Sequence, residues 1–218
     1  KAALGIAHDG DGDRLVICDE TGEIVDGDQV LGILALHGLH KGTLKKKTLV
    51  TTVQSNFGLD KTLVAAGGKV DRVAVGDRNV LLHMIESHLN VGGENSGHII
   101  LRDYAVAGDG LLAAISLIEI MLSTGKPLSA LRAQVALFPQ ATKNLKVAEK
   151  LPLEQCGSLQ MAMTSLKEKL GTNGRLLVRY SGTEPKLRLL VEAEDVELME
   201  SGLESLIEAA QNDLEVIS

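Results

Sequence analysis

The chain of 218 residues is 44% hydrophobic, carries a formal net charge of −7 and contains only 2% aromatic residues with no tryptophan. That length holds one large domain or two modest ones, and the apolar content is too high for a disordered chain. An acidic chain without aromatic platforms lacks the cationic field and stacking rings that nucleic acids demand, so no nucleic-acid partner is expected.

Residues 3–7 (ALGIA) read as a short buried strand delivering HDGDGDR (8–14), and RLVICD (14–19) as the strand leaving it. The first residues run into the aspartates as a strand already under way and not as a signal peptide, so a fragment of a longer protein is expected. ETGE (20–23) is a turn. From Asp28, a plausible N-cap, QVLGILALHGL has helical apolar spacing. LKKK (44–47) is polar and exposed, and TLVTTV (48–53) is a β-branched strand. Ser55 is placed to cap a helix reaching Ala66, stopped by Gly67 and Gly68. KVDRVAV (69–75) is the next strand and VLLHMIESHL (80–89) the next helix. Asp109 then caps a long helix that ends at Gly125, Lys126 and Pro127.

LFPQATKN (137–144) breaks the periodicity and is the expected domain boundary. Beyond it come a strand near 144–148, a helix near 158–170, a stop at Gly171 and a turn at Asn173 and Gly174. Strands RLLVRY (175–180) and KLRLLVEA (186–193) precede an amphipathic helix over 196–212. The predicted fold is a mixed-sheet α/β domain followed by a small α+β domain. Cys18 and Cys156 are far apart and form no CxxC pair, which argues against a disulfide framework or zinc site and fits a reducing cytoplasm. The longest apolar run, near 111–122, is interrupted by Ser116 and Glu119, so no membrane span and no membrane partner are expected.

Three segments carry chemistry. Asp9, Asp11 and Asp13 alternate with glycines, and each carboxylate raises the cost of ionising the next unless a cation sits among them. Hard oxygen donors of this kind suit Mg²⁺. An EF-hand loop is excluded: its glycine position is occupied by Arg14, and LVIC is strand sequence where loop ligands belong. A solvated acidic turn is the plain alternative, and the flanking apolar strands favour the metal. In GGENSGH (92–98), Glu94, Ser96 and His98 alternate and would share one face of an extended segment, offering groups that pair with sugar hydroxyls. A glycine-rich turn between strands explains that segment equally well. In RYSGTEP (179–185), Ser181, Gly182 and Thr183 offer hydroxyls and close backbone N–H groups, while Arg179, Lys186 and Arg188 supply charge for a phosphate. An ordinary hairpin loop is the competing reading. VGDRN (75–79) is a strand-end turn that leaves Arg78 exposed toward a ligand. His37, His40, His83 and His88 sit in helical contexts and read as surface or packing residues.

A metal loop, a polyol loop and a phosphate loop, in that order, resemble the α-D-phosphohexomutases, through DGDGDR, GENSGH and RYSGTEP. GGENSGH, VGDRN, FPQ and RYSGTEP look like the branch acting on glucosamine phosphates. The resemblance covers the whole chain. It implies a four-domain enzyme in which a phosphoserine gives its phosphate to the sugar and recovers the other phosphate from a bisphosphorylated intermediate. Asp9, Asp11 and Asp13 would then hold Mg²⁺, and Arg14 would sit beside the transferring phosphoryl group. Arg78, Glu94, Ser96 and His98 would contact the sugar phosphate, and Arg179, Ser181, Gly182, Thr183 and Arg188 would grip its phosphate. The serine loop of the form T-A-S-H-N-P is absent from these residues. Residues 1–25 would be a remnant of a second domain, 26–140 a third and 141–218 a fourth. The implied partners are a sugar phosphate and the remaining N-terminal domains, and the piece alone would be inactive. A phosphomannomutase or phosphoglucomutase of the same superfamily, or a non-catalytic sugar-phosphate-binding module, are the alternatives; a phosphatase with an aspartate nucleophile finds no close match.

Overall fold

The computed structural model describes residues 2–217, which divide into two compact units with the boundary between residues 137 and 138. The first unit opens with an antiparallel sheet of β1 (Leu4–His8), β2 (Leu15–Asp19) and β3 (Ile24–Val25). It continues through helix α1 (Gly27–Lys41), β4 (Thr48–Thr52), α2 (Gly58–Ala65), β5 (Lys69–Val73), α3 (Asp77–Glu86), β6 (Val91–Gly93), β7 (Ile99–Leu101), α4 (Gly110–Thr124) and α5 (Leu128–Arg132). The second sheet runs β5-β4-β6-β7, with β4 parallel to β5 and β6 and the last pair antiparallel. It is a mixed sheet, as the alternation of strand and helix implies.

Strand β4 is buried along its whole length, which explains a continuous β-branched run in place of alternation. Helix α1 is apolar on most of its circumference because it packs against α2, α4, α5, β4 and β6. Leu31, Leu49, Leu59 and Leu63 are fully buried in this core. Truncating any one to alanine costs about 2–5 kcal/mol.

The second unit comprises β8 (Gln140–Val147), α6 (Gly157–Leu170), β9 (Gly174–Tyr180), β10 (Lys186–Ala193), α7 (Val196–Asp213) and β11 (Val216–Ile217). Its antiparallel sheet has the order β11-β8-β10-β9. Leu187, Leu189 and Val191 face a core shared with Leu159 and Leu166 of α6 and Leu206 of α7. By strand alternation the opposite face carries Arg179, Arg188 and Asn144. No helix of the described residues is long and apolar enough to cross a membrane.

Two predicted caps are corrected. The N-cap of α1 is Asp26, whose side chain accepts from Asp28 N–H while Gln29 completes a capping box. Asp28 instead lies buried in the first turn and accepts the Asn56 N–H at 2.6 Å. Ser55 is not the N-cap of α2: its hydroxyl bonds that of Thr51, and α2 starts only at Gly58, with Phe57 at its N-cap. The intervening loop is held by Arg72, whose guanidinium donates to the carbonyls of Thr52, Ser55 and Asn56 at 2.9, 2.7 and 3.0 Å. Strands β3, β6, β7 and β11 and helix α5 lie outside the predicted elements, since segments of two, three and five residues show no measurable period.

Candidate functional site

The acidic segment is the loop of the β1–β2 hairpin, which pairs His8 with Leu15. Gly12 N–H donates to Asp9 C=O at 3.2 Å and Arg14 N–H to Asp9 Oδ1 at 3.2 Å, which curls the loop inward. One carboxylate oxygen from each of Asp9, Asp11 and Asp13 comes within 4.8 Å of the others. Arg14 Nε stands 3.3 Å from Asp9 Oδ2 and 3.8 Å from Asp13 Oδ1 and offsets part of their charge. Asp13 Oδ1 is itself shielded from solvent and has no hydrogen-bond partner. An all-oxygen set with an unsatisfied buried acceptor fits a hard divalent cation. Strand β2 begins directly after Arg14, which agrees with the exclusion of an EF-hand.

Residues 94–97 differ from the extended segment expected. Gly97 N–H returns to Glu94 C=O at 3.1 Å, and Gly97 takes φ +89°, a left-handed conformation that favours glycine. The segment is therefore a tight turn between β6 and β7, so alternation does not put its side chains on one face. Ser96 is exposed at the tip. Glu94 is half-buried and accepts the Gly76 N–H through Oε1 at 3.0 Å. His98 is buried, and its Nδ1 lies 3.1 Å from Asp13 Oδ2. The turn is fastened to the acidic loop by Leu15 N–H donating to Gly97 C=O at 3.0 Å and by the Arg14–His98 bridge. Gly110 N–H, opening α4, donates to Gly12 C=O at 3.0 Å. Acidic loop and hydroxyl-bearing turn are thus one piece. Arg78 lies exposed in the first turn of α3, two residues after Gly76.

In the second unit, residues 181–185 form the loop of the β9–β10 hairpin. Ser181 is buried, Gly182 and Thr183 are exposed, and Arg188 Nη2 donates to Ser181 Oγ at 3.3 Å. Arg179 stands directly across from Arg188 in the β9–β10 register. Burial, and then the facing Arg188 guanidinium, depress the proton affinity of Arg179. Arg188 Nε is buried without a hydrogen-bond partner. Two facing guanidiniums with an unsatisfied donor form a receptive place for an anion. Glu184 offsets part of this charge through Lys186 at 2.7 Å and Arg188 at 3.9 Å. Lys150 Nζ also donates to Ser181 C=O at 2.6 Å. Sequence reading missed Lys150, which lies 31 positions from Ser181 in an unremarkable polar stretch.

Residues 26–138 match the family model described as phosphoglucomutase/phosphomannomutase, alpha/beta/alpha domain III, and residues 143–209 match that of the same family's C-terminal domain. The phosphoglucosamine mutase of Sorangium cellulosum is 45% identical over 98% of this chain and 45% of its own length. That of Bacillus subtilis is 44% identical over 98% of this chain and 48% of its own. The chain therefore spans about half the length of the curated relatives it matches. Among solved structures, a phosphoglucomutase/phosphomannomutase family protein from Burkholderia thailandensis superposes with a TM-score of 0.77 at 22% identity, covering 98% of this chain and 48% of that one. The Aspergillus fumigatus N-acetylphosphoglucosamine mutase, solved with GlcNAc-6P and magnesium, gives 0.74 at 19% identity, covering 95% and 48%. These two likenesses establish the fold, and the matched domain model, which takes in more than half of the residues, establishes that the chain belongs to the phosphoglucomutase/phosphomannomutase family.

Proposed function

We propose that this chain supplies the sugar- and phosphate-binding half of a phosphoglucosamine mutase, which interconverts glucosamine 6-phosphate and glucosamine 1-phosphate through a phosphoserine and a bisphosphorylated sugar. The observation that carries the reading is the fastening of an acidic loop to a hydroxyl-bearing turn through Leu15, Gly97, His98 and Asp13. The identity of 44–45% to phosphoglucosamine mutases along 98% of the chain supports this choice of sugar.

Asp9, Asp11 and Asp13 would hold Mg²⁺, which when bound neutralises charge on a transferring phosphoryl group. Arg14, exposed and tethered only to aspartates, would turn toward that phosphoryl group and stabilise its oxygens. Ser96 and Glu94 would receive sugar hydroxyls, the hydroxyl as donor or acceptor and the carboxylate as acceptor. Arg78 would meet the ligand from the adjoining turn. Arg179, Arg188, Ser181, Thr183 and the Gly182 backbone would hold the phosphate that is not transferred. No residue of this chain takes the nucleophile's part, and the 218 residues contain no T-A-S-H-N-P loop.

The test is a chimaera that joins this chain to the half of the Bacillus subtilis relative that it does not match. Turnover on glucosamine 6-phosphate should exceed that on glucose 6-phosphate and mannose 6-phosphate. A preference for either of the latter would reject the sugar assignment, and absence of turnover on all three would reject the mutase reading.

A further inference from the structure

We propose that the cavity between the C-terminal halves of α1 and α4 binds a small zwitterion with an apolar body, of the class of the apolar α-amino acids. The cavity measures about 450 Å³, a size typical of small-molecule sites. It lies within the first unit, where β6 starts and β7 ends, at the end of the sheet away from the β6–β7 turn. Its lining residues are separate from the acidic loop, from that turn and from the β9–β10 loop, and the proposal stands apart from the mutase reading.

The floor is apolar: Leu34, Leu44, Val91, Leu101 and Ile120 line it and are all buried. Burying a guest's apolar body against them removes that body from water, which is favourable. One wall is held rigid by bonds of its own. Asn90 accepts the Lys45 N–H at 2.9 Å and donates to Thr43 C=O at 3.1 Å and to Asp103 Oδ2 at 2.6 Å. Asp103 is also paired with Lys45, which takes its charge out of play. Two charges at the cavity stay unpaired. Lys41 in the last turn of α1 and Glu119 on α4 both line it, and neither joins an ion pair among the described residues. Both act on the His37 ring: burial first, then Lys41, hold its proton affinity below the usual histidine value, and Glu119 opposes them. A simple anion would meet Glu119 and a simple cation would meet Lys41, each at a cost. A molecule that carries a carboxylate for Lys41 and an ammonium for Glu119 satisfies both while its side chain reaches the floor. Tyr104, 77% exposed, adds an aromatic ring to the lining for that side chain to lie against.

The experiment is a titration of the whole chain with L-phenylalanine, followed by amide resonance shifts. Phenylalaninamide, which lacks the carboxylate, and N-acetylphenylalanine, which lacks the ammonium, are titrated beside it. Shifts with L-phenylalanine should saturate and cluster in residues 34–44, 90–104 and 116–120. Each analogue should bind about tenfold more weakly or worse, the usual loss when a hydrogen bond to a charged group is removed. Lys41 and Glu119 are exposed, so Lys41→Met and Glu119→Gln should melt as the parent does. Lys41→Met should lose the preference for L-phenylalanine over phenylalaninamide, and Glu119→Gln the preference over N-acetylphenylalanine. Absence of shifts, or shifts confined to other residues, would overturn the site. Equal binding of the three probes by the parent, or preferences that both variants retain, would overturn the zwitterion assignment.

Discussion

Arg179 on β9 and Arg188 on β10 face each other directly across the hairpin, and Arg179 has no ion-pair partner among the described residues. Like charges opposed in this way cost up to about 1 kcal/mol, a cost that an anion between them removes. Inorganic phosphate should therefore raise the melting temperature and move the amide resonances of residues 179–183. Arg179→Met should stabilise the ligand-free protein slightly and lose the phosphate response. Arg179→Lys should weaken phosphate binding, since a point ammonium cannot reproduce the guanidinium fork. Resonance shifts confined to other residues, or full binding by Arg179→Lys, would refute the clamp.

Asp11 is exposed and central to the acidic loop. Because a surface substitution of this kind usually changes stability by less than about 0.5 kcal/mol, Asp11→Asn should fold as the parent does. It should lose most of the stabilisation that millimolar Mg²⁺ gives, since ligand binding to the folded state alone raises stability by mass action. Thermal melts with and without Mg²⁺ decide this. An equal Mg²⁺ response in parent and variant would remove Asp11 from the ligand set.

The 218 residues assayed alone should form no glucosamine 1-phosphate from glucosamine 6-phosphate, even with Mg²⁺ and a bisphosphorylated sugar present. Catalysis of this type needs a residue that accepts and returns a phosphoryl group, and the hydroxyls at the described sites, Ser96, Ser181 and Thr183, are assigned to binding. Sustained turnover would demand a nucleophile among these residues and a different mechanism.

The fold class was legible because the determinants are local. Period-two and period-3.6 patterns, and a capping aspartate such as Asp109, need no knowledge of distant neighbours. The motifs were legible for the same reason: Asp9, Asp11 and Asp13, or Ser181 and Thr183, lie within a few positions of one another. What stayed hidden is pairing at long range. The alternation of Glu94, Ser96 and His98 gave no hint that His98 Nδ1 lies 3.1 Å from Asp13, 85 positions away. Lys150 gave no signal, because its contact is with a backbone carbonyl. Asp28 looked like a cap because aspartate favours caps, but Asp26 two residues earlier supplies the better geometry with Gln29.

Asp28 itself yields a prediction about pH. Burial pushes its carboxyl from an ordinary value of 3.8 up to about 6, against the opposing pull of the Asn56 N–H, the Ser55 hydroxyl and the Arg72 charge. Desolvation wins because the residue is 2% exposed. Between the two values the folded chain binds more protons at this site than the unfolded chain. Stability contributed here is thus lost as pH rises through that window, and the loss is complete above it. A shift of this size corresponds to roughly 3 kcal/mol as an upper bound, at about 1.4 kcal/mol per unit. Asp28→Asn keeps a carbonyl oxygen to accept the Asn56 N–H but has no charge to desolvate. The variant should therefore melt several degrees higher than the parent at pH 7.5, with the gap closing toward pH 4. Melting curves over that range test the sign directly. A variant less stable than the parent at pH 7.5, or a gap that does not change with pH, would show that the buried carboxylate is stabilised by its partners more than it is penalised by burial.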